Sequence, residues 1–133
     1  MKGALFGVVA TVILFGANPT GQGQAEDTKK VAELMRKKLK HSQKVLEGIA
    51  VADYEVISQN ADELIQISKA LEWNVVKTPR YELHSNEFRR AAENLIQRAG
   101  EKNIDGAALA YVDLTLTCVR CHKYVREVRM TRR

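Results

Sequence analysis

The sequence is poor in residues that interrupt helices, and it contains no hairpin signal. Only two prolines occur in 133 residues, and the single proline beyond residue 25 is Pro79. No Asn-Gly turn lies between alternating apolar runs, so nothing predicts a β-hairpin. Aromatic residues make up only 6% of the chain. Ala, Leu, Glu, Lys and Gln are frequent instead, and this composition favours α-helix.

Cysteine is also scarce, and both cysteines lie close together near the C-terminus. They form the pattern Cys118-Val119-Arg120-Cys121-His122. Cys-x-x-Cys-His is the attachment motif of c-type haem. Residues three and four apart share one face of a helix, so both thiols and the imidazole are predicted to lie on the same side. The thiols can then form thioethers with the two vinyl groups of one haem, while His122 ligates the iron.

Other chemistries of a Cys-x-x-Cys pattern have less support in this sequence. A redox dithiol needs a thioredoxin-like strand before it, and none is visible. A zinc site needs more ligands than two cysteines, and the adjacent Cys121 and His122 rarely both reach one small ion. A disulfide within one helical turn is geometrically awkward. The motif therefore predicts one covalently attached haem c.

The first 25 residues have the pattern of a cleaved secretory signal peptide. Lys2 supplies a positive charge, residues 4–17 form an apolar run, and Asn18-Pro19 breaks it. Gly23-Gln24-Ala25 is a small-x-small cleavage site. The apolar run is too short for a good membrane span, although an uncleaved N-terminal anchor is the alternative. Export would place the chain in the periplasm, where bacterial c-type haem is attached. Residues 26–133 then form one domain of about 108 residues without a membrane span.

Apolar spacing in this domain predicts four helices. They cover about residues 27–49 (helix A), 52–73 (helix B), 86–99 (helix C) and 105 onward (helix D). Ser85 and Asp105 are predicted N-caps of helices C and D, and Gly100 is the predicted end of helix C. The positions expected to face the core are Met35, Leu39, Ser42, Leu46 and Ile49 in helix A; Ile57, Ala61, Leu64, Ser68 and Leu71 in helix B; Phe88, Ala91 or Ala92, Leu95 and Ala99 in helix C; and Ala107, Tyr111, Leu114, Cys118, Cys121 with His122, and Val125 in helix D.

These elements predict an all-α fold, an antiparallel four-helix bundle. The haem motif continues the core-facing positions of helix D, so the haem is expected to lie partly inside the bundle. If helices A and D are antiparallel neighbours, Met35 and His122 fall at similar heights, because each is predicted to lie seven or eight residues from a helix end. By the same height argument, His41 and His84 are expected to be ordinary surface or loop histidines.

This layout resembles the class II cytochromes c, which include cytochrome c-prime and its low-spin relatives. The resemblance covers essentially the whole domain. The matching features are Glu33-Leu34-Met35 in helix A, Trp73 at the end of helix B, the haem motif, and Tyr124 and Arg126 after it.

Within the resembling family, a methionine of helix A ligates the iron in low-spin members. The resemblance therefore implies Met35 as the sixth ligand and single-electron transfer as the function. The alternative is a high-spin, five-coordinate protein that binds nitric oxide or carbon monoxide, in which Met35 only fills space. Haem peroxidase or nitrite chemistry has less support, because no distal His or Arg lies on the core-facing positions. We therefore do not expect an enzyme.

The positive charge is concentrated beside the haem motif. The chain has a formal net charge of +5. Residues 118–133 carry six basic side chains against Glu127 alone, whereas the rest of residues 26–133 is near neutral. This surface suits an acidic redox partner, although pairing with haem propionates explains it equally well. Nucleic-acid binding is not expected in an exported chain without interleaved aromatic residues, and a homodimer is left open.

Overall fold

The computed structural model describes residues 20–70, 73 and 75–131, with side chains from residue 25 onward. Over this part of the chain the fold is all-α, with no strand. Its four helices are α1 (Thr20–Ala50), α2 (Tyr54–Lys69), α3 (Pro79–Gly100) and α4 (Ile104–Thr131). The prediction of an all-α chain of four helices is therefore confirmed. The predicted signal peptide, residues 1–25, lies mostly outside the described residues, and its last residues form the start of α1.

The connection between α1 and α2 is tight. Ala52 takes up a left-handed backbone conformation with φ of 54°. Asp53 caps α2 by accepting a hydrogen bond from the Val56 N–H at 3.0 Å. A Cβ atom at Gly48 would lie 2.9 Å from Cγ1 of Ile57. Glycine therefore lets the two helices approach closely as the chain reverses.

The start of the third helix was predicted wrongly, since α3 begins at Pro79 rather than after Ser85. Thr78 is the N-cap, and its side-chain oxygen accepts from the Tyr81 N–H at 3.2 Å. Proline fits this first turn because its fixed φ suits a helix and its missing N–H has no partner there. Ser85 is instead buried inside α3, where its hydroxyl accepts a 2.7 Å hydrogen bond from Nε1 of Trp73.

The second helix ends earlier than predicted, at Lys69. Trp73 therefore lies in the connection between α2 and α3 rather than at the end of a helix. Its side chain is nevertheless 2% exposed. The aromatic ring of Trp73 fills the core although α2 ends at Lys69.

The reversal between α3 and α4 also differs in detail from the prediction. Gly100 is the last residue of α3, as expected, but the left-handed residue that follows is Lys102, with φ of 53°. Asn103, not Asp105, accepts the hydrogen bond from the Gly106 N–H at 2.8 Å. Asp105 lies within the first turn of α4, where its negative charge is favourable near the helix N-terminus.

Each helix packs against the next one in sequence, and α4 also contacts α1. Four helices in this cyclic order are consistent with the predicted four-helix bundle. The core is apolar and draws on all four helices and on the connection before α3. Its most deeply buried large side chains are Val45, Ile57, Leu64, Leu95 and Leu114.

The predicted core-facing positions are confirmed in α3 and at four of five positions in α2, whereas they are partly wrong in α1. The fifth α2 position, Leu71, lies outside the described residues. Leu39 and Leu46 are 60% and 50% exposed, whereas Lys38 and Val45 are buried. Met35, Ser42 and Ile49 are half-buried as expected, so the prediction is wrong only for the exposed Leu39 and Leu46 and for the burial of Lys38. Lys38 can occupy the interior because its ammonium group lies over aromatic rings contributed by other parts of the chain.

No helix among the described residues is both long enough and apolar enough to cross a membrane.

Candidate functional site

A cavity of about 790 Å³ lies between α1 and α4. These two helices make the fewest contacts of the four neighbouring pairs, so the gap between them is not filled by side chains. The walls come from α1, α4, the connection before α3 and the first turns of α3. The lining residues that bear on the chemistry are Met35, Lys38, Trp73, Tyr81, Cys121 and His122. The volume falls within the range of about 300–1,000 Å³ that is usual for cofactor and ligand sites.

The two cysteines lie on α4, and neither forms a disulfide. Both are half-buried and pack against the core. Cys121 lines the cavity, whereas Cys118 lies one helical turn before it. Burial raises the pKa of the Cys121 thiol, and the nearby Lys38 ammonium only partly opposes this shift. At neutral pH Cys121 is therefore a protonated thiol at the cavity wall.

His122 lines the same cavity, although more of its surface is exposed than that of the cysteines. Partial burial lowers the pKa of its imidazole, and the positive charges of Lys38, Arg126 and Arg129 lower it further. The lowered pKa favours the neutral imidazole, the form that donates an electron pair to a metal.

Met35 is half-buried on α1 and lines this cavity opposite α4. The reasoning that placed it level with His122 used a wrong helix start, because α1 begins at Thr20. A 3.3 Å hydrogen bond between the side chains of Ser42 and Tyr111 fixes the register of the two helices. Counting from this bond in antiparallel helices, Met35 is level with Cys118, and His122 lies one turn, roughly 6 Å, further along. The structure therefore brings Met35 and His122 to one cavity with an offset of a turn.

The other two histidines do not line this cavity. His41 is partly buried, and its Nδ1 lies 2.9 Å from Oδ1 of Asn60. The expectation that His84 is a surface or loop residue is wrong, because it lies inside α3 with a side chain only 11% exposed. Its Nδ1 is 3.2 Å from a carboxylate oxygen of Glu87, and its ring packs against that of Tyr124. The Nε2 atom of His84 is buried without a hydrogen-bond partner.

An aromatic wall closes the inner end of the cavity. Trp73 and Tyr81 both line it, and both are almost fully buried. The Tyr81 hydroxyl donates a hydrogen bond to the carbonyl oxygen of Trp73. Burial, with a smaller contribution from Cys121, raises the pKa of Tyr81 to about 12. This contact fixes the connection between α2 and α3 against the cavity.

Sequence reasoning missed Lys38 as a residue of the site. Its side chain is 7% exposed, and Nζ lies 3.9 Å from the ring centre of Phe88 and 4.4 Å from that of Trp73. Burial lowers the pKa of this lysine, and the two thiols partly oppose the shift. The spacing of Lys38 three residues after Met35 was a signal that both share one face. Lysine is nevertheless a residue that is normally exposed to solvent, so the sequence predicted an exposed position for Lys38.

Basic side chains of α4 line part of the cavity, and Asp27 of α1 also lines it. Arg126 and Arg129 line it from the last turns of α4. Arg120 is exposed on the same helix and lies 3.9 Å from a carboxylate oxygen of Glu87. Lys123 is exposed on the same helix and does not line the cavity. The remaining two predicted contributors, residues 132 and 133, lie outside the described part of the chain. Of the four described basic residues in this segment, only Arg126 and Arg129 therefore line the cavity.

No group of three or more His, Cys, Asp or Glu side chains in the described ranges is arranged to hold a metal ion. Comparison with protein-family models, with curated proteins and with solved structures finds no match to this chain.

Proposed function

We propose that the protein is an exported monohaem cytochrome c of class II type, which carries single electrons between redox partners. The observation that supports it best is that Met35, Cys121 and His122 all line one cavity in an all-α chain of four helices. Of these, two belong to the haem attachment motif and the third is the proposed sixth ligand. Met35 lies on α1, whereas Cys121 and His122 lie on α4. The approach of Met35 to the other two is therefore a result of the fold and not of closeness in sequence.

The residues around the cavity fit a haem c. Two free thiols one helical turn apart match the two vinyl groups of a haem, and a mainly neutral imidazole follows directly. The cavity is large, and two aromatic side chains form its inner wall. Cys118 and Cys121 would attach the group, and His122 and Met35 would hold its iron. When bound, the haem supplies a centre that gains and loses one electron.

The surrounding side chains have supporting roles in this proposal. Trp73 and Tyr81 exclude water from the inner end of the cavity, which lowers the local dielectric constant. Arg126 and Arg129 at the rim present positive charge to an approaching partner. Complementary charge steers such encounters and raises their rate, so an acidic redox protein is the expected partner. Attachment of haem c to an exported chain places the protein in the periplasm in this proposal.

The direct test is the mass of the mature protein made in a periplasm that is competent for haem attachment. We expect the mass of one haem, retained after denaturation, because thioethers are covalent. The double variant Cys118→Ser, Cys121→Ser should lack this mass while keeping its helical circular dichroism. A wild-type protein without haem under these conditions would contradict the proposal.

A further inference from the structure

The side of α4 that points away from the core carries a stripe of exposed apolar side chains. Leu109 is 72% exposed, Val112 55%, Leu116 49% and Val119 56%. The opposite side of the same helix supplies core residues, including Ala107, Ala110, Leu114 and Thr117. A surface helix of a monomeric bundle normally places polar residues on its outer side. A row of large apolar side chains there indicates an interaction site.

The spacing of this stripe is that of a helix-pairing seam. The intervals between its four residues are three, four and three, which is the alternation found in coiled coils. Extending the same alternation by one step at each end reaches Asp105 and Lys123. Both of these end positions are exposed. The complete stripe therefore has an acid at one end, four apolar side chains in the middle and a base at the other end.

A stripe with this order is complementary to itself when a second helix runs antiparallel. Leu109 then lies opposite Val119 of the second copy, and Val112 lies opposite its Leu116. In the same register Asp105 lies opposite Lys123 of the second copy. A two-fold axis between Val112 and Leu116 generates every one of these pairings twice. At each end of the paired stripes, Asp105 of one copy therefore lies opposite Lys123 of the other.

We propose that two copies of this chain associate through the outer side of α4 in this antiparallel register. The occupant is a second copy, because the acid at one end of the stripe and the base at the other are complementary to the same stripe under a two-fold axis. The cavity lies on the side of α4 that faces α1. The pairing therefore leaves both cavities and their basic rims open to redox partners. The proposal does not depend on haem attachment.

One pair of like charges in this register provides an additional readout. Asp113 is exposed beside the stripe and lies one residue from the level of the axis. The two copies of Asp113 are then about 3 Å apart along the helix direction, on the same side of the seam. Their repulsion opposes association. We expect Asp113→Asn to tighten the dimer.

The first experiment is sedimentation equilibrium of the purified full mature protein at micromolar concentrations. The wild type should be a dimer, and the double variant Val112→Glu, Leu116→Glu should be a monomer with unchanged helical circular dichroism. The matched control is Leu83→Glu, which alters an apolar side chain that is 51% exposed on α3. This control should remain dimeric. A monomeric wild type at high micromolar concentration, or a dimer that survives both glutamates, would overturn the proposal.

The second experiment tests the register through the charges at its ends. Asp105→Lys and Lys123→Glu should each weaken the dimer by about tenfold, because each contact occurs twice and an exposed ion pair becomes a repulsion. Combining both substitutions restores opposite charges, so the double variant should dimerise more tightly than either single variant. Simple addition of the two losses would show that these residues do not face each other, and would overturn the antiparallel pairing.

Discussion

The Lys38 ammonium lies 3.9 Å from the centre of the Phe88 ring, inside the bundle. Trp73 covers it from a second side at 4.4 Å. Among the described residues no carboxylate forms an ion pair with it. A desolvated cation gains about 2 kcal/mol from an aromatic face, whereas burying an unpaired ammonium costs several kcal/mol. The lowered pKa of Lys38 indicates that the two rings compensate only in part for the loss of water around this group.

The first prediction concerns the pH dependence that follows from this burial. Because the pKa of Lys38 is lowered on folding, the unfolded chain binds its proton more tightly than the folded chain does. The free energy of unfolding should therefore rise with pH between the lowered pKa and the ordinary value of 10.5. Lys38→Met should remove this rise, as measured by urea unfolding of the haem-free chain. The control Lys40→Met alters an exposed lysine on the same helix and should leave the rise of the unfolding free energy with pH unchanged. An equal rise in the wild type and in both variants would show that Lys38 is not its source.

The second prediction concerns Tyr81 and has the opposite sign. Its pKa is raised from 10.0 to about 12, so the folded protein holds the phenolic proton more tightly than the unfolded chain. The contribution of Tyr81 to stability is fully present below pH 10 and is lost as the pH rises to about 12, by on the order of 2 kcal/mol. Urea unfolding of Tyr81→Phe should not show this loss. The control Tyr54→Phe, at a half-buried tyrosine, should behave as the wild type does.

The third prediction separates electron transfer from gas binding, and it depends on Met35. If this thioether ligates the iron, the oxidised protein should be low-spin and should bind carbon monoxide slowly after reduction. Met35→Ala should then give a high-spin spectrum, faster gas binding and a lower potential, because methionine ligation raises the potential. The matched control is Leu34→Ala, which shortens a neighbouring half-buried side chain. A high-spin wild type would favour the gas-binding alternative.

A low-spin wild type whose spectrum is unchanged by Met35→Ala would require another ligand. His41 and His84 do not line the cavity, so Lys38 would be the first residue to examine. Its spacing of three residues from Met35 puts both side chains on the same face of α1. Absorption spectra of Lys38→Met would then decide between these groups.

The fourth prediction concerns the basic rim of the cavity. If Arg126 and Arg129 steer an acidic partner, electron transfer to that partner should slow as salt rises, since exposed charges are screened over about 10 Å at 0.1 M. Arg126→Gln with Arg129→Gln should flatten this dependence in stopped-flow measurements. Lys102→Gln removes a charge from the turn at the opposite end of α4 and should leave it unchanged. Electron-transfer rates that change neither with salt nor on substitution of the two arginines would mean that this surface does not steer the partner.

The number and type of the secondary elements could be predicted from the sequence, because they depend on local spacing. Apolar residues at helical intervals in α2 and α3 identified their buried sides, including Ile57, Leu64 and Leu95. The close sequence spacing of Cys118 and His122 likewise fixed their placement along one helix. Helix starts were less predictable: Thr78 and Ser85 are both residue types that favour the N-cap, and the structure has Thr78 as the cap and Ser85 buried inside α3.

The sequence by itself determined four helices and the placement of the Cys-x-x-Cys-His motif on one of them, since both follow from neighbours within a few residues. The tertiary structure alone decided that Lys38 is buried, that Leu39 is exposed and that most of the His84 side chain is shielded from solvent. It also decided that Met35 shares a cavity with His122. Each of these outcomes depends on groups that are distant in sequence. The aromatic rings that stabilise the Lys38 charge come from residues 73 and 88, and no pattern along α1 contains that information.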